Sequence, residues 1–374
     1  MKILVTGAKG FIGKNLICEL KNRQNYEVFE YDIDTNPPLL EQFCQRADFV
    51  FHLAGVNRPK EEREFMDGNF GLLSKLLEKL KKYKNSCPIL FSSSIQAELE
   101  NPYGKSKRAG EDMLFRYGKE TGASVLLYRF PNVFGKWCRP NYNSVIATFC
   151  YNIAHDLDIV VNDSTTMLNL IYIDDVIAEL LSALSGKEHK NESFCNVAPV
   201  YTVTLGEIVD LLFSFKESRI NRFVPNMQDE FVRKLYSTYL SYLPEDEFSY
   251  ELKMNVDERG SFTEFIKTVE RGQLSVNISK PGITKGNHWH HTKNEKFLVV
   301  SGTGVIRFRS VEPNENATDN VIEYFVSGDK LEVVDIPVGY THNIENLGES
   351  DMVTIMWANE AFDPLKPDTF FLEV

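Results

Sequence analysis

The chain has 374 residues, of which 43% are apolar and 25% charged, and it carries a formal net charge of -12. At roughly 150 residues per domain, this length predicts two or three folded units, and the composition excludes collagenous, low-complexity and wholly disordered classes. The acidic balance repels polyphosphate and no stretch reaches the ~18 uninterrupted apolar residues of a membrane span, so we expect neither a nucleic-acid nor a membrane partner.

The cysteines and the first residues bear on the cellular compartment. None of the six cysteines forms a C-x-x-C pair, which argues against a disulfide framework or a thiolate zinc site and is typical of a reducing compartment. The opening MKILVTG is predicted to be a strand entering a glycine turn rather than a signal peptide. We therefore expect a cytoplasmic protein.

Short β-rich runs alternate with helical stretches from residue 1 to about 195. The predicted strands are KILVTG, YEVFEYD, ADFVFHLAG, PILFSSS and SVLLYRF, and the predicted helices cover residues 13–22, 70–82, 105–121 and 174–185. A mostly helical stretch follows over 205–243. Because such alternation is typical of βα units around a parallel sheet, it predicts an α/β fold with a Rossmann-type doubly wound sheet.

Beyond an acidic segment near Pro244 to Phe248, helical periodicity disappears. Short strands punctuated by Gly, Pro and Asn take its place, in the runs TEFIKTVERGQLSVNIS, KFLVVSGTGVIRFRS, VIEYFV, KLEVVDIPVG and MVTIMWA. This texture predicts an all-β barrel or jelly roll. We therefore expect two domains, 1–245 and 246–374.

A glycine-rich turn follows the first predicted strand. Gly7, Gly10 and Gly13 stand between a strand and a helix, where backbone N–H groups and the helix N-terminus face a pyrophosphate. Asp32, at the end of the second predicted strand, is placed to accept a hydrogen bond from the adenosine ribose and so favours NAD. Lys9, inside the turn, favours the 2′-phosphate of NADPH instead. A tight packing turn and a solvated strand-end carboxylate remain the alternatives.

A tyrosine and a lysine follow a third candidate strand. Tyr103 and Lys107 are four residues apart in YGKSK, which places them on one face of a helix. A lysine ammonium beside the phenol is expected to lower the phenol pKa from about 10, so that the tyrosine exchanges a proton near neutral pH. Alone, this spacing is also common on surface helices.

In their order, these motifs resemble the extended short-chain dehydrogenases/reductases that act on nucleotide sugars. The matching runs are TGAKGFIG, DFVFHLAG, FSSS, YGKSK, YRFPNVFG and IYIDDV. The resemblance implies that Tyr103 is the general acid, that Lys107 modulates its pKa and anchors the ribose, and that Ser94 orients the substrate carbonyl. Asn132 is implied as a substrate contact. The implied cofactor-binding residues are Gly7, Lys9, Gly10, Phe11, Ile12, Gly13, Asp32, Leu53, Ala54, Gly55, Tyr103 and Lys107.

Histidines and a glutamate cluster in the all-β region. His288 and His290 alternate on one predicted strand face, Glu295 follows, and His342 comes after a later turn. Imidazole and carboxylate ligands suit a divalent ion of the Zn, Fe, Ni or Mn type. The two motifs resemble those of the cupin barrels, and zinc fits chemistry at a carbon next to a carbonyl. His291 has a separate role or none.

The same region resembles the cupin-shaped 3,5-epimerases of 4-keto-6-deoxy sugars. The elements are DERGSFTE and GITKGNH. That resemblance implies substrate contacts for Arg259 and Glu264, for which surface salt bridges are the alternative, and it makes His288 a proton-abstracting base. His288 thus has two competing assignments, metal ligand and base. Tyr340 or Lys296 is the candidate for the epimerisation proton.

The fusion of such a reductase to such a barrel resembles bifunctional enzymes of capsular polysaccharide synthesis. This implies a UDP-linked 4-keto-6-deoxy-N-acetyl sugar as substrate, NADPH as the hydride source with NADH not excluded, zinc in the barrel, and a homodimer. Two alternatives remain. The chain is a reductase whose barrel only dimerises, or a non-catalytic sensor that binds the dinucleotide without turnover.

Overall fold

The computed structural model describes residues 1–23, 25–312 and 320–374. The chain divides into two compact units, one formed by Met1–Phe213 with Glu230–Pro244 and the other by Ser214–Asp229 with Glu245–Val374. The two units interleave along the chain at residues 214–229, so the domain division at residue 245 stays a prediction. Within the described residues, no helix combines the length and the apolar character needed to cross a lipid bilayer.

Helices occupy much of the first 240 residues. They are α1 (Phe11–Asn22), α2 (Pro38–Arg46), α3 (Arg63–Met66), α4 (Leu72–Lys82), α5 (Pro102–Thr121), α6 (Val145–Ala154), α7 (Ile173–Leu184), α8 (Leu205–Asn221) and α9 (Glu230–Leu240). A single π-helical turn, Asp67–Gly71, leads into α4, and short 3₁₀ turns cover Ile95–Glu98 and Glu245–Glu247.

The strands of the first unit form a large sheet and a small one. They are β1 (Lys2–Thr6), β2 (Glu27–Tyr31), β3 (Phe49–His52), β4 (Ile89–Ser94), β5 (Val125–Phe130), β6 (Asn132–Phe134), β7 (Met167–Tyr172), β8 (Lys190–Asn191), β9 (Phe194–Cys195) and β10 (Tyr201–Thr204). In the described residues the large sheet has the order β2-β1-β3-β4-β5-β9-β8, and the small one β10-β7-β6. The pairings from β2 to β9 in the large sheet are parallel, which confirms the predicted Rossmann-type α/β architecture.

The large sheet is buried on both faces. Ile3 and Val5 pack with residues of α1 and α7, whereas Leu4 between them packs with residues of α2, α4 and α5. A parallel sheet covered by helices on both sides explains why its strands read as continuous apolar runs. The carboxyl ends of β1, β3 and β4 therefore meet at one edge, where they lead into the loops of the first candidate site.

The second unit contains two sheets of antiparallel strands. They are β11 (Met254–Asp257), β12 (Gly260–Thr268), β13 (Gly272–Ser279), β14 (Thr284–Trp289), β15 (Glu295–Ser301), β16 (Thr303–Ser310), β17 (Ile322–Ser327), β18 (Val333–Ile336), β19 (Tyr340–Asn346), β20 (Met352–Ala358) and β21 (Phe370–Phe371). The sheet orders are β11-β12-β13-β20-β15-β18 and β17-β16-β19-β14-β21. This region confirms the all-β prediction.

In the second unit, buried apolar residues share strand faces with polar residues. Phe297 and Val299 of β15 pack with Phe308 of β16 and Ile344 of β19 in a buried apolar cluster. The same faces of β15 and β19 carry Glu295 and His342, because side chains two residues apart in a strand point to one side. The apolar core therefore leads directly to the polar cluster described next.

Candidate active site and candidate metal centre

The glycine turn lies where β1 ends and α1 begins. Gly7 has φ of +71°, and a Cβ atom on it would lie 2.6 Å from the backbone nitrogen of Ala54. A Cβ atom on Gly13 would lie 2.1 Å from the carbonyl oxygen of Gly7. Both positions therefore require glycine. Gly10 is the N-cap of α1 and supplies no side-chain cap, which leaves the first amides of the helix available for an anion.

A cavity of about 860 Å³ opens at this turn. Of the predicted cofactor-binding residues, it is lined by Gly7, Lys9, Gly10, Phe11, Ile12, Gly13, Leu53, Gly55, Tyr103 and Lys107. Ser94 and Asn132 also line it. The structure thus brings most of the predicted reductase residues to one cavity, which is large enough for a drug-sized or larger ligand.

Asp32 and Ala54 are not among the residues that line the cavity. The Asp32 carboxylate accepts hydrogen bonds from the backbone N–H of Lys9 at 2.6 Å and of Ile33 at 2.8 Å. The Lys9 ammonium pairs with Asp34. Asp32 therefore stabilises the glycine turn, and the backbone of Ala54 packs closely against Gly7.

Tyr103 and Lys107 lie on the first turns of α5. The helix begins after Asn101, whose side chain accepts a hydrogen bond from the Gly104 N–H, and Pro102 occupies its first turn. Lys107 is 4% exposed, and its Nζ donates to the carbonyl oxygen of Ser92 at 2.9 Å. Burial lowers the pKa of Lys107 to about 8, although the nearby Glu111 carboxylate acts to raise it.

The pKa of Tyr103 differs from the expectation. Burial of the phenol raises its pKa above 10, and the hydrogen bond with Ser94 opposes this only in part. The pKa of the phenol is thus raised, whereas the sequence predicts that Lys107 lowers it. The physical reason is that Lys107 Nζ lies 5.8 Å from the centre of the Tyr103 ring and is bonded to Ser92, so desolvation of the phenol outweighs attraction by the ammonium.

A buried glutamate next to this pair was not predicted. Glu111, 2% exposed, accepts hydrogen bonds from Ser93 Oγ at 2.5 Å and from Arg129 at 2.9 and 2.6 Å. It lies one helical turn beyond Lys107, so the i, i+4 spacing was a signal available in the sequence. Glu111 fixes the end of β4, which carries both Ser94 and the carbonyl bonded to Lys107.

Three histidines and one glutamate converge in the second unit. One ligand atom each from His288, His290, Glu295 and His342 lies within 4.8 Å of the others. His290 Nε2 lies 3.5 Å and His342 Nε2 3.3 Å from Glu295 Oε2. The β14–β19 pairing produces this geometry, because it places His288 directly opposite His342. The four residues predicted as metal ligands are thus brought together.

Four polar atoms of this cluster lack hydrogen-bond partners among the described residues. They are His290 Nε2, Glu295 Oε2, His342 Nδ1 and His342 Nε2. Burial, followed by repulsion from His342, lowers the pKa of His288 to about 4, so its ring is neutral at pH 7. Burial disfavours the Glu295 carboxylate, yet the imidazoles of His290 and His342 outweigh it and lower its pKa. Neutral imidazoles and a carboxylate are the forms in which these side chains bind a divalent cation.

The predicted substrate residues of the barrel make other contacts. Arg259 pairs with Asp257 at 2.6 Å, and Glu264 with Arg222 and Lys267 at 2.8 Å each. Salt bridges, the alternative for both residues, are therefore present. The partner of Arg259 lies within the motif, whereas the partners of Glu264 lie outside it.

The remaining named residues lie near the strands of the cluster. Lys296 pairs with Asp335, and Tyr340 packs against the apolar core of the unit. His291 is exposed and lies in an aromatic group with Trp289 and Phe370. Its ring is not part of the ligand set, in line with the separate assignment.

Two residues near the cluster were missed. Lys293 Nζ lies 3.8 Å from Glu295 Oε1, and the backbone carbonyl of Asp368 accepts a hydrogen bond from His290 Nδ1. Lys293 lies within the first histidine motif and was available to sequence reasoning. Asp368 carries no local signal, because only the tertiary fold brings it to β14.

Comparison with known proteins agrees with both halves of this description. A family model described as "NAD dependent epimerase/dehydratase family" matches residues 3–198, and one described as "Polysaccharide biosynthesis C-terminal domain" matches residues 255–370. The chain belongs to the NAD dependent epimerase/dehydratase family, with the second domain following it.

Relatives extend this similarity over the whole chain. A UDP-2-acetamido-2,6-beta-L-arabino-hexul-4-ose reductase of Pseudomonas aeruginosa is 44% identical over 374 residues, covering 100% of this chain and 99% of that protein. The crystal structure of the capsular polysaccharide assembling protein CapF from Staphylococcus aureus is 60% identical with a TM-score of 0.94, and CapF with the inhibitor 3-isopropenyl-tropolone is 56% identical with a TM-score of 0.90. Both cover 100% of each chain. The predicted resemblance to a capsule-synthesis enzyme is confirmed.

Proposed function

We propose that this chain is a bifunctional nucleotide-sugar enzyme. Its C-terminal domain, a zinc-binding cupin, epimerises C3 of a UDP-2-acetamido-2,6-dideoxy-4-hexulose. Its N-terminal domain then reduces the C4 ketone with NADPH to UDP-2-acetamido-2,6-dideoxy-L-talose, on the route to UDP-N-acetyl-L-fucosamine for capsular polysaccharide. The single observation that carries the proposal is that one chain holds both the Tyr103–Lys107 cavity and the buried histidine–glutamate cluster. The relative named as a hexul-4-ose reductase supports the substrate class.

In the reductive half, the residues around the cavity orient the ketone and supply its proton. Ser94 holds the C4 oxygen with its hydroxyl, and Tyr103 donates a proton to that oxygen as the alcohol forms. The raised pKa of Tyr103 keeps the phenol protonated at neutral pH, which is the form a general acid needs. Lys107, held by the Ser92 carbonyl, anchors the ribose hydroxyls of the cofactor.

The cluster residues fit a metal ion. The cluster offers N and O ligand atoms, several of them buried without hydrogen-bond partners among the described residues, and these match the donor set of zinc. We assign His288, His290, Glu295 and His342 as its ligands. When bound, NADPH supplies the hydride for C4, and zinc supplies the Lewis acidity that stabilises negative charge on the ketone oxygen during epimerisation. His288 then acts as ligand, because a nitrogen bound to a metal is not free to take a proton.

In the epimerising half, a side chain must remove the C3 proton and a proton must return to the opposite face of the ring. Tyr340 and Lys296 stay predictions for this role, and Arg259, Glu264 and Asn132 for substrate contacts. We further propose that the chain forms a homodimer. The acid at C4 and the ligands at the second site belong to different units, so the two steps are separable by mutation.

Two other functions compete with this proposal. If the barrel only dimerises, variants of the cluster retain full reduction of the 4-keto sugar. If the chain is a dinucleotide sensor, Tyr103→Phe leaves its behaviour unchanged. The intact arrangement of Tyr103, Lys107 and Ser94 on one cavity favours a catalyst over a sensor, since a sensor needs no proton donor.

One experiment tests the proposal directly. The chain is incubated with a UDP-4-keto-6-deoxy-N-acetyl sugar in D₂O, with and without NADPH, and NMR follows deuterium at C3 and reduction at C4. We expect exchange at C3 without NADPH and reduction only with it. Absence of C3 labelling contradicts the epimerase assignment, and absence of C4 reduction contradicts the reductase assignment.

A further inference from the structure

The ring of His290 is oriented by a residue far along the chain. Its Nδ1 is bonded to the backbone carbonyl oxygen of Asp368. Because a carbonyl only accepts, Nδ1 must carry the hydrogen, and the Nε2 of the neutral ring is left with a free lone pair. Among the residues that the structure describes, that Nε2 has no hydrogen-bond partner; it is buried and lies 3.5 Å from Glu295 Oε2. The bond to Asp368 thus selects the tautomer that a metal ligand requires.

The side chain of Asp368 holds the turn between two of the proposed ligands. Its carboxylate accepts hydrogen bonds from the backbone N–H groups of His291 at 2.9 Å, Thr292 at 2.7 Å and Lys293 at 2.8 Å. The Thr292 hydroxyl adds a fourth at 3.1 Å. These residues connect His290 to Glu295 along the chain, so one carboxylate fixes the backbone between both ligands.

The residues that follow Asp368 run beside the other two ligands. Phe371 of β21 pairs with His288 of β14, and the Leu372 N–H donates to the Asn287 carbonyl at 2.9 Å. The Thr341 hydroxyl, next to His342 in the chain, donates to the Leu372 carbonyl. We define residues 368–372 as the ligand-bracing segment, because they contact His288 and His290 directly and contact residues within two positions of Glu295 and His342.

We propose that the ligand-bracing segment positions the metal ligands and that Asp368 is its main positioning residue. The inference rests on the proposed function, since it takes the cluster to be a zinc site. Asp368 reaches the ion only through His290 and the turn of residues 291–293. The segment therefore sets how tightly the site holds zinc, because outer contacts that orient a ligand typically change metal affinity by 10- to 100-fold.

The test compares two aspartates of the full-length chain. Asp368→Asn keeps the shape of the side chain but removes the charge and places an amide against N–H donors. We expect its zinc affinity, measured by competition with a chromophoric chelator, to fall by about tenfold or more. Asp363→Asn is the control, because the Asp363 carboxylate caps the Leu365 N–H at 2.9 Å and contacts none of the ligands; we expect unchanged affinity.

The thermal midpoint of the zinc-free protein separates positioning from mere stability. A lower midpoint in Asp368→Asn with unchanged zinc affinity overturns the proposal, as does equal weakening by Asp363→Asn. If Asp368→Asn does not fold, Thr341→Val decides the question, because it removes the bond to Leu372 at the other end of the segment, and normal zinc affinity there overturns the proposal. Failure of the unaltered chain to bind zinc removes the proposed metal site itself, which is a distinguishable result.

Discussion

The two candidate sites differ in how much of their chemistry the folded chain already contains. The reductase site is a cavity of about 860 Å³ whose walls are largely backbone and neutral side chains. Tyr103 has a raised pKa there, and the buried Lys107 ammonium is bonded to a backbone carbonyl group. Such a site is completed by a large ligand, which brings its own phosphates and ribose hydroxyls.

The second site is nearly complete without an organic ligand. Four ligand atoms lie within 4.8 Å of one another, and several are buried without hydrogen-bond partners. Buried polar atoms without partners are unfavourable, and a bound cation would satisfy them. This difference shows what each site depends on. Function at the first site depends on the organic ligand that enters the cavity, whereas function at the second site depends on the protein contacts that hold the histidine and glutamate side chains.

The largest expected effect comes from removing one ligand of the second site. His342→Gln should abolish zinc binding and lower C3 exchange by about 10³-fold or more, because Lewis-acid stabilisation contributes several kcal/mol and 1.36 kcal/mol is tenfold in rate. Zinc content by mass spectrometry and C3 deuteration by NMR measure this. His291→Gln, an exposed histidine outside the ligand set, is the control. Normal C3 exchange in a zinc-free His342→Gln protein would contradict the dependence of the second site on its metal ligands.

The next effect isolates the first site. Tyr103→Phe should reduce C4 reduction by roughly 10²- to 10³-fold, the range expected for a lost general acid, and should leave C3 exchange intact. NADPH oxidation followed at 340 nm measures the first and NMR the second. Tyr142→Phe is the matched control, since Tyr142 lines the same cavity. Parallel loss of both activities in Tyr103→Phe means that the two sites are not separate.

A smaller effect is expected for Glu111, whose buried carboxylate lies near Lys107. Glu111 raises the pKa of Lys107 against the dominant effect of burial, which lowers it to about 8. Protonated Lys107 is the useful form, so kcat/KM should fall as pH rises through about 8. In Glu111→Gln that fall should occur at lower pH, with about fivefold lower activity at pH 8 if the pKa falls by about one unit.

Glu98→Gln is the control for this prediction. Glu98 pairs with the same Arg129 at 2.9 Å but is 70% exposed, and none of its described hydrogen bonds involves Ser93 or Lys107. Its pH profile should match that of the unaltered chain. An unshifted profile in Glu111→Gln shows that Glu111 does not act on Lys107.

Much of the fold and both sites could be predicted from local patterns, and the failures have a common physical origin. The glycine turn, the Tyr103–Lys107 spacing and each histidine motif lie within one element or within consecutive elements of the chain. Asp368 could not be predicted, because its partners lie in the turn after β14 and only the folded chain brings them together. The wrong expectation for the Tyr103 pKa has the same cause, since desolvation depends on the whole environment of the phenol.

The prediction of individual helices is limited in the same way by tertiary surroundings. Helix α2, Pro38–Arg46, is short and buries only Leu40 and Cys44, so it presents too weak an apolar stripe to be recognised. Helix α4 begins at Leu72, after a π-helical turn that the apolar spacing of residues 72–80 does not indicate. Long amphipathic helices and alternating strands are readable from sequence, whereas short elements are determined by their tertiary surroundings.

The smallest expected effect concerns the choice of cofactor. Asp32 carries a negative charge beside the glycine turn but holds the Lys9 N–H with it, so it braces the turn as well as repelling a 2′-phosphate. Asp32→Asn keeps an acceptor oxygen and removes the charge. The ratio of kcat/KM for NADPH to that for NADH should rise by about fivefold, since ~1 kcal/mol is the interaction of two charges 4 Å apart in water. Asp163→Asn, which alters a turn carboxylate bonded to Thr165, should leave the ratio unchanged. A ratio that stays constant while both cofactors bind more weakly shows that Asp32 acts only as a brace.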